Sequence, residues 1–276
     1  MSHTATQTST AHGWQLEEDS ATAYERFLVP LLFDTSARDL VDRLQVRSGD
    51  RVLDVACGTG AVARHAAERD ESDGEVVAVD LNPGMLAAAK EAVPHPSIRW
   101  EEASADALPL SDGSVDIVCC QQGLQFFGDR SAALAEMHRV TAPDGRLGLS
   151  VCRPLEHQPG YQPLVDGLRR HVGQAAAEGM ASPFGFGDRD EVVALVRAAG
   201  FRDVEVRIVI WPLRASSPEA FLRGETASSP LGGVIADLDD EVIDALIADI
   251  SEGLAPHTDD AGISFPIETL VVTAGR

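Results

Sequence analysis

The spacing of apolar residues changes its period along the chain, and each change marks a boundary between a predicted strand and a predicted helix. From Arg51 onward, short β-branched apolar runs alternate with stretches in which apolar residues recur at three- and four-residue steps. This alternation is typical of a parallel sheet with right-handed crossovers and helices on both faces. The pattern predicts strands at Val52–Val55, Glu75–Asp80, Ile98–Glu101, Val115–Gln121 and Arg146–Cys152, with helices at 61–68, 83–92 and 131–140.

Three other segments depart from this alternation. Residues 15–44 have a helical pattern that Pro30 interrupts, which favours two helices over one. Residues 153–187 form a connection of unusual length, with one helical stretch near Leu164–Ala177, and residues 214–260 are mostly helical. Between and after these segments we expect a helix at 188–199 that ends at Gly200, a strand at 204–212 and a last strand at Phe265–Thr273.

The pattern predicts one domain over residues 14–276, with a mostly helical cap built from segments 14–44, 153–187 and 214–260. Residues 1–13 are polar and lack the apolar region of a signal peptide, so we expect a disordered tail there. No apolar run approaches the roughly 18 residues that a membrane span requires. We therefore expect a cytoplasmic protein.

A glycine-rich turn follows the first strand, in the stretch RVLDVACGTGAVA at residues 51–63. Gly58 and Gly60 let the backbone turn sharply and let a ligand approach it closely. The next helix directs unpaired N–H groups to the same place, as in cofactor sites at the carboxyl end of a parallel strand. The glycines also fit a dinucleotide site, because Asp80 lies 80 − 60 = 20 residues beyond Gly60.

Polar residues end successive predicted strands. They help to distinguish a dinucleotide from a cationic cofactor. The carboxyl ends of parallel strands line one crevice, so Asp54, Asp80 and Asp106 are expected to converge there with Gln121. A carboxylate beside the glycine turn would repel the pyrophosphate of a dinucleotide and attract a cation. S-adenosylmethionine carries a sulfonium and an ammonium group, so Asp54 would face its amino-acid end, Asp80 its ribose diol and Asp106 its adenine amino group.

These segments resemble the successive motifs of the class I S-adenosylmethionine-dependent methyltransferases. The resemblance is greatest for the small-molecule branch that includes ubiquinone and menaquinone biosynthesis enzymes. It covers residues 51–153 strongly and the last two strands moderately. It implies a Rossmann-like α/β fold, with a seven-stranded sheet of order 3-2-1-4-5-7-6 whose last strand is antiparallel, helices on both faces and a cap. The motifs are VLDVACGTG, VVAVDLNPGML, SADALPL, VDIVCCQQGLQFF and APDGRLGLSV.

The resemblance implies methyl transfer to a small, largely apolar acceptor, with S-adenosylhomocysteine as the product. Two alternatives stay open: an NAD(P)-dependent oxidoreductase, and a cofactor-binding protein of this fold that transfers no methyl group. Carried over by motif, the residues around S-adenosylmethionine are Asp54, Ala56, Gly58, Gly60 and Gln121 at the methionine end, Asp80, Leu81 and Met85 at ribose and adenine, and Asp106 and Ala107 at adenine.

The composition excludes some classes of binding partner but does not identify the acceptor. The chain carries 22 Lys and Arg against 44 Asp and Glu, a net charge of −22, which repels nucleic acid and anionic membranes. Lys90 is the only lysine, so the composition fits either a GC-rich genome or adaptation to salt. The four cysteines and eight histidines show no metal-ligand spacing, so we expect reduced thiols and no metal.

No residue stands out as a catalytic base. Methyl transfer from a sulfonium needs mainly proximity and alignment, although an oxygen or carbon acceptor can also require a base. Tyr24 in the first cap segment, and His157 and Tyr161 after the fifth strand, are candidates for that role. Each has an alternative interpretation as a packing or surface residue, so the sequence assigns no catalytic residue.

Overall fold

The computed structural model describes residues 16–69 and 74–276, so the tail expected at residues 1–13 lies outside the described residues. Seven strands run side by side in the order β3-β2-β1-β4-β5-β8-β6, and β7 pairs only with β8. The pairs among β1 to β5 are parallel, whereas β8 lies antiparallel between β5 and β6. The predicted order is confirmed, with β8 as the seventh long strand. The strands are β1 (Val52–Val55), β2 (Val76–Asp80), β3 (Ile98–Glu102), β4 (Val115–Gln121), β5 (Thr141–Cys152), β6 (Arg202–Ala215), β7 (Thr258–Asp259) and β8 (Gly262–Gly275).

Helices connect the strands and form the cap. A π-helical turn at Val29–Phe33 separates α1 from α2, which confirms two helices around Pro30. The helices are α1 (Glu18–Leu28), α2 (Asp34–Arg43), α3 (Ala61–Ala67), α4 (Pro83–Ala92), α5 (Arg130–Val140), α6 (Tyr161–His171), α7 (Gln174–Ala181), α8 (Arg189–Ala198), α9 (Pro218–Ala227), α10 (Gly232–Ala236) and α11 (Asp240–Leu254).

Two local predictions were wrong. The single helix expected near Leu164–Ala177 is two helices, because Gly173 has φ 127° and breaks the chain between α6 and α7. The fifth strand, predicted to start at Arg146, begins at Thr141. Thr141 pairs with Val115, and the register then shifts so that Arg146 pairs with Ile117. The intervening residues bulge from the strand rather than ending it.

Packing of the sheet follows the alternation of its side chains. Cys119 and Cys120 are adjacent in β4 and belong to different apolar clusters, as their opposite orientations in the strand require. A third cluster fills the cap and the far ends of β6 and β8. Its aromatic centre contains Tyr161, Phe221 and Phe265, with the last two rings 5.2 Å apart. The cap therefore has an apolar core of its own, built against the sheet.

Gly160→Ala should destabilise the cap by about 1–3 kcal/mol, the usual cost of overpacking a core. A Cβ built at Gly160 would lie 2.4 Å from Cγ of the buried Phe265 ring, which is enclosed by other aromatic rings. Denaturant unfolding of the two proteins checks the difference. Gly233→Ala is the matched control, because a Cβ there meets nothing within 4 Å. Equal losses for both variants would contradict this account of the cap.

Candidate active site

The carboxyl ends of β1 and β4 approach each other closely and are both strained. Ala56, directly after β1, has φ 55°, and Gln122, directly after β4, has φ 54°. Such values are uncommon for residues with a side chain and concentrate at functional sites. A Cβ built at Gly123 would lie 2.6 Å from Cβ of Ala56, so only glycine fits between the strand ends. The distorted backbone places the residues after both strands at one edge of the sheet.

The glycine turn is held to the neighbouring strand by Asp80. Its Oδ2 accepts a hydrogen bond from the Gly58 amide at 2.8 Å, and its Oδ1 accepts one from the Asn82 amide at 2.8 Å. The Asn82 side chain caps α4 by accepting from the amides of Gly84 and Met85, as its position before Pro83 predicts. Asp80 thus fixes the turn from the side of β2, at the place where a ligand would reach the backbone.

Asp54 is the most unusual group at this edge. Its side chain is only 1% exposed; Oδ2 accepts from the Ala63 amide at 3.1 Å, while Oδ1 is buried and has no hydrogen-bond partner among the described residues. Burial, together with the smaller effect of the Asp80 charge, raises the pKa of this carboxyl to about 8 in spite of the opposing Ala63 hydrogen bond. A buried oxygen without a donor is costly unless a ligand supplies one.

A small cavity lies between this edge and the first cap segment. Tyr24 and Phe33 stack with ring centroids 5.2 Å apart and cover it. Its free volume is about 20 Å³, room for little more than one water molecule, so α1 and the π turn must move to admit a larger ligand. The residues that line the cavity are Tyr24, Val29, Phe33, Asp54, Ala56, Cys57, Gly58, Thr59, Ala61, Val62 and Gln121.

Polar contacts tie the cap to this cavity. The Gln121 side-chain amide donates to Ser36 Oγ at 2.8 Å and to the Phe33 carbonyl at 3.2 Å. The Thr59 hydroxyl donates to Glu25 on α1 at 2.5 Å. Residues of the glycine turn and of β4 thus hold the closed position of the first cap segment, and these bonds must rearrange when it opens.

Of the ten residues predicted around a cofactor, four line the cavity: Asp54, Ala56, Gly58 and Gln121. Asp80 lies one hydrogen bond away, through Gly58. The other five do not line the cavity, and their contacts to a ligand stay predictions. Leu81 is 45% exposed, Met85 packs with Leu16 and Ala21 between α1 and α4, and Asp106 and Ala107 are exposed in the loop after β3.

Gly60 has a structural role that the sequence pattern did not reveal. It has φ 88°, and a Cβ there would lie 2.4 Å from Cη2 of Trp100 on β3. Gly58 differs, because its Cβ would point toward Tyr24 at 4.0 Å and meet nothing closer. The first glycine therefore faces the ligand side of the turn, and the second allows the turn to pack on β3.

Of the three candidates for a catalytic base, Tyr24 and His157 occupy different positions relative to the cavity. Burial and the charges of four nearby carboxylates raise the pKa of the Tyr24 hydroxyl above its usual range, so it stays protonated at neutral pH. His157 does not line the cavity, and its Nε2 accepts a hydrogen bond from Arg153 at 2.8 Å. Sequence reasoning missed Cys57, Thr59 and Phe33, which line the cavity; Thr59 was recognisable from its place between the two glycines.

Comparisons with known proteins agree with this geometry. A family model described as a methyltransferase domain matches residues 53–149. The ubiquinone/menaquinone biosynthesis C-methyltransferase UbiE of Xanthomonas oryzae is 32% identical over 181 residues, which cover 54% of this chain and 70% of that protein. Nocamycin O-methyltransferase of Saccharothrix syringae is 35% identical over 205 residues, covering 69% of this chain and 72% of that protein.

The chain belongs to the class I S-adenosylmethionine-dependent methyltransferases. Its fold agrees: the YcgJ protein of Bacillus subtilis superposes with a TM-score of 0.60 at 18% identity, covering 88% of this chain and 98% of that one. The glycine turn alone fits either a dinucleotide or S-adenosylmethionine, and family membership decides for S-adenosylmethionine. Within residues 16–69 and 74–276, every helix of the methyltransferase is too short or too polar to cross a lipid bilayer.

The residues at this site fit S-adenosylmethionine, which this methyltransferase uses as its methyl donor. The unpartnered Oδ1 of Asp54 suits an ammonium group, which would supply the missing donor and the opposite charge. The open side of Gly58 lets a ligand contact the backbone. Among the described residues, no three His, Cys, Asp or Glu side chains come close enough together to hold a metal ion.

The stability of the ligand-free methyltransferase should fall as pH rises from about 4 to about 8. Asp54 has its pKa raised from 3.8 to about 8, so within this range the folded chain holds a proton that the unfolded chain releases. Its contribution is full below 3.8 and is lost as pH rises through the folded value. Denaturant unfolding at several pH values should give a shallower decline for Asp54→Asn. A wild-type stability that rises over this range, or equal slopes, would contradict the assignment.

Proposed function

We propose that the protein transfers a methyl group by in-line displacement to a small, largely apolar acceptor held between the sheet edge and the cap. The observation that carries this proposal is the buried, unpartnered oxygen of Asp54 beside an open glycine backbone. A cationic amino-acid end would be attracted there and would displace the proton that Asp54 holds near neutral pH, whereas a pyrophosphate would gain no opposite charge. UbiE acts in ubiquinone and menaquinone biosynthesis, and the second relative is an O-methyltransferase, which supports a small-molecule acceptor here.

The protein's own groups act by binding, orientation and exclusion of water. Asp54 would hold the ammonium group, Gly58 would contact the methionine end through its backbone, and Asp80 would accept from the ribose hydroxyls. The bound cofactor supplies a methyl group already activated on a sulfonium. Tyr24 and Phe33 close the cavity over the glycine turn. Closure holds the reacting atoms in line and removes water from a step in which charge is dispersed.

The acceptor would enter from the cap, where the surroundings are apolar. Leu31 and Leu32 of the π turn pack against the cap cluster, whereas Val29 and Phe33 of the same turn line the cavity. The turn therefore separates the cofactor space from the apolar cap and touches both. An acceptor lying against its cap side would be one layer of side chains from the methyl donor, and movement of the turn would bring the two together.

Calorimetric titration tests the proposal directly. The folded protein is titrated in parallel with S-adenosylmethionine, S-adenosylhomocysteine and NADH, and its near-ultraviolet circular dichroism confirms folding. Both adenosyl compounds are expected to bind, and NADH is not. Once an acceptor is known, a donor with a chiral methyl group should give a product of inverted configuration. Binding of NADH alone, or retention of configuration, would refute the proposal.

A further inference from the structure

A buried carboxylate lies in the cap and does not line the cavity beside the glycine turn. Glu225 on α9 is 4% exposed, and its Oε1 accepts a hydrogen bond from the Tyr161 hydroxyl of α6 at 2.5 Å. Tyr161 is itself 5% exposed and lies among the rings of Phe184, Phe221 and Phe265. The second oxygen, Oε2, has no hydrogen-bond partner in the part of the chain that the structure describes. Oε2 is not among the fully buried atoms that lack a partner, unlike Oδ1 of Asp54. It is therefore open to a donor that a ligand would supply.

Glu225 lies near residues of the proposed methyl-transfer site. Its charge raises the pKa of the Tyr24 hydroxyl, which also responds to Asp54 and Asp80. It likewise raises the pKa of Cys152, the last residue of β5. Tyr24 covers the glycine turn, and Cys152 lies at the carboxyl end of a central strand. The neighbouring Gly224 packs on Phe27 of α1, because a Cβ built there would lie 2.1 Å from Cζ of that ring. Glu225 therefore lies where α9 meets α1, the helix that carries Tyr24.

A second polar group, at the end of α9, also lacks a partner. Ser228 is the C-cap residue, directly after the helix ends at Ala227 and three residues after Glu225. Ser228 is fully buried, and its Oγ has no hydrogen-bond partner among residues 16–69 and 74–276. The C-terminal end of α9 thus carries a buried carboxylate and a buried hydroxyl without a partner, next to the apolar cluster of the cap.

We propose that Glu225 and Tyr161 form the hydroxyl-binding end of the acceptor site, and that the acceptor is an apolar molecule with an acidic hydroxyl, a phenol or an enol. This rests on the proposed methyl transfer and deepens it. Tyr161 holds Oε1 of Glu225, which leaves Oε2 to accept the acceptor's hydroxyl hydrogen bond. The apolar body of the acceptor lies against the cap cluster.

The same arrangement supplies a base for the transfer. As the bond between the acceptor oxygen and the methyl carbon forms, the bond from that carbon to sulfur breaks and its electron pair stays on sulfur. The hydroxyl proton passes to Oε2 of Glu225 and later to water. The products are a methyl ether and the neutral thioether, so charge and atoms balance. Glu225 removes a proton whose retention would leave a positive charge on the ether oxygen in an apolar site.

A fluorescent phenol tests the hydroxyl site without knowledge of the natural acceptor. The full chain, saturated with S-adenosylhomocysteine, is titrated with 2-naphthol and with 2-methoxynaphthalene, which lacks the hydroxyl. We expect 2-naphthol to bind about tenfold or more tightly than the ether, the worth of a hydrogen bond to a charged group. Glu225→Gln keeps an oxygen for Tyr161 and should abolish the preference. Glu219→Gln, on the exposed face of the same helix, should preserve it.

The pH dependence separates this role from simple packing. Burial raises the pKa of Glu225 to about 7, and the Tyr161 hydrogen bond opposes that shift. The groups that respond to its charge, Tyr161, Tyr24 and Cys152, all have raised pKa values and stay protonated near neutrality. The affinity for 2-naphthol should therefore rise with pH through about 7, and Tyr161→Phe should move this rise to higher pH. Glu225→Gln should show no such rise.

Each outcome decides something. If the wild type fails to bind S-adenosylhomocysteine, the proposed function is refuted. If it binds S-adenosylhomocysteine but does not prefer 2-naphthol over the ether, or if Glu225→Gln keeps that preference, the hydroxyl site is refuted. Should Glu225→Gln not fold, Tyr161→Phe carries the test, and an unmoved pH profile overturns the proposal. With S-adenosylmethionine, the wild type should form the naphthyl methyl ether at least ~100-fold faster than Glu225→Gln. No ether from the wild type would refute the base role.

Discussion

Replacing Asp54 by asparagine is expected to weaken S-adenosylhomocysteine binding by roughly tenfold to a hundredfold, the range for a lost hydrogen bond between charged groups. Asparagine keeps an oxygen for the Ala63 amide, so α3 stays in place. In place of the unpartnered Oδ1 it presents an NH₂ group, which repels an ammonium ion rather than attracting it. Calorimetric titration of the two proteins measures the difference.

The control for this variant is Asp190→Asn on α8, whose side chain is 90% exposed and paired only with Arg189. It should bind the ligand as the wild type does. The Asp54→Asn chain should also be no less stable than the wild type at pH 8, because it has no buried carboxyl to ionise. Unchanged affinity for the ligand, or a gain in affinity for NADH without a loss for S-adenosylhomocysteine, would show that Asp54 does not face a cation.

Alanine substitution at the two glycines of the turn should have separable effects, with the larger loss of stability at Gly60. At φ 88° a side chain is strained by about 1–2 kcal/mol, and overpacking against Trp100 adds about 1–3 kcal/mol. Gly58→Ala meets only the strain of φ 54°, but its Cβ enters the cavity beneath Tyr24. We therefore expect the larger loss of stability in Gly60→Ala. Gly58→Ala should lose less stability but more affinity for the ligand.

Two further variants isolate the causes. Gly128→Ala, where a Cβ meets nothing within 4 Å, should leave both stability and ligand affinity unchanged. Combining Gly60→Ala with Trp100→Leu should cost less than the sum of the single substitutions, because removing the ring makes room for the new Cβ. Denaturant unfolding and ligand titration are measured for the three glycine variants, for Trp100→Leu and for the double variant. Additive losses in the double variant would mean that the Trp100 contact is not what requires glycine at position 60.

The sheet could be predicted closely because its strands are buried on both faces and interrupted by clear turn and cap signals. Val115–Gln121 and Pro83–Ala92 have the bounds that the apolar pattern and Asn82 indicate. The helix break at Gly173 was missed because a single glycine in a helical pattern is usually tolerated. The bulge before Arg146 depends on pairing with β4, which local sequence does not encode.

The lining of the cavity was partly predictable from sequence, and the proposed acceptor end was not. Asp54 and Gly58 lie at fixed offsets from a strand end, so their convergence follows from topology. The role of Gly60 depends on Trp100, forty residues away, and only the packing shows it. Glu225 is one of two glutamates on α9, and only its burial beside Tyr161 distinguishes it. Sequence therefore identifies site residues that follow strands of the sheet. It does not identify residues that come together only when the cap helices pack.

The most direct test of the central claim is the number of protons released when S-adenosylmethionine binds near pH 7. Titrations in two buffers of different ionisation enthalpy give this number for the wild type and for Asp54→Asn. The raised pKa of Asp54, about 8, means that the ligand's cation must displace a proton from it. We expect the wild type to release close to one proton more than the variant. Equal proton release by the two proteins would contradict a site built around this carboxylate.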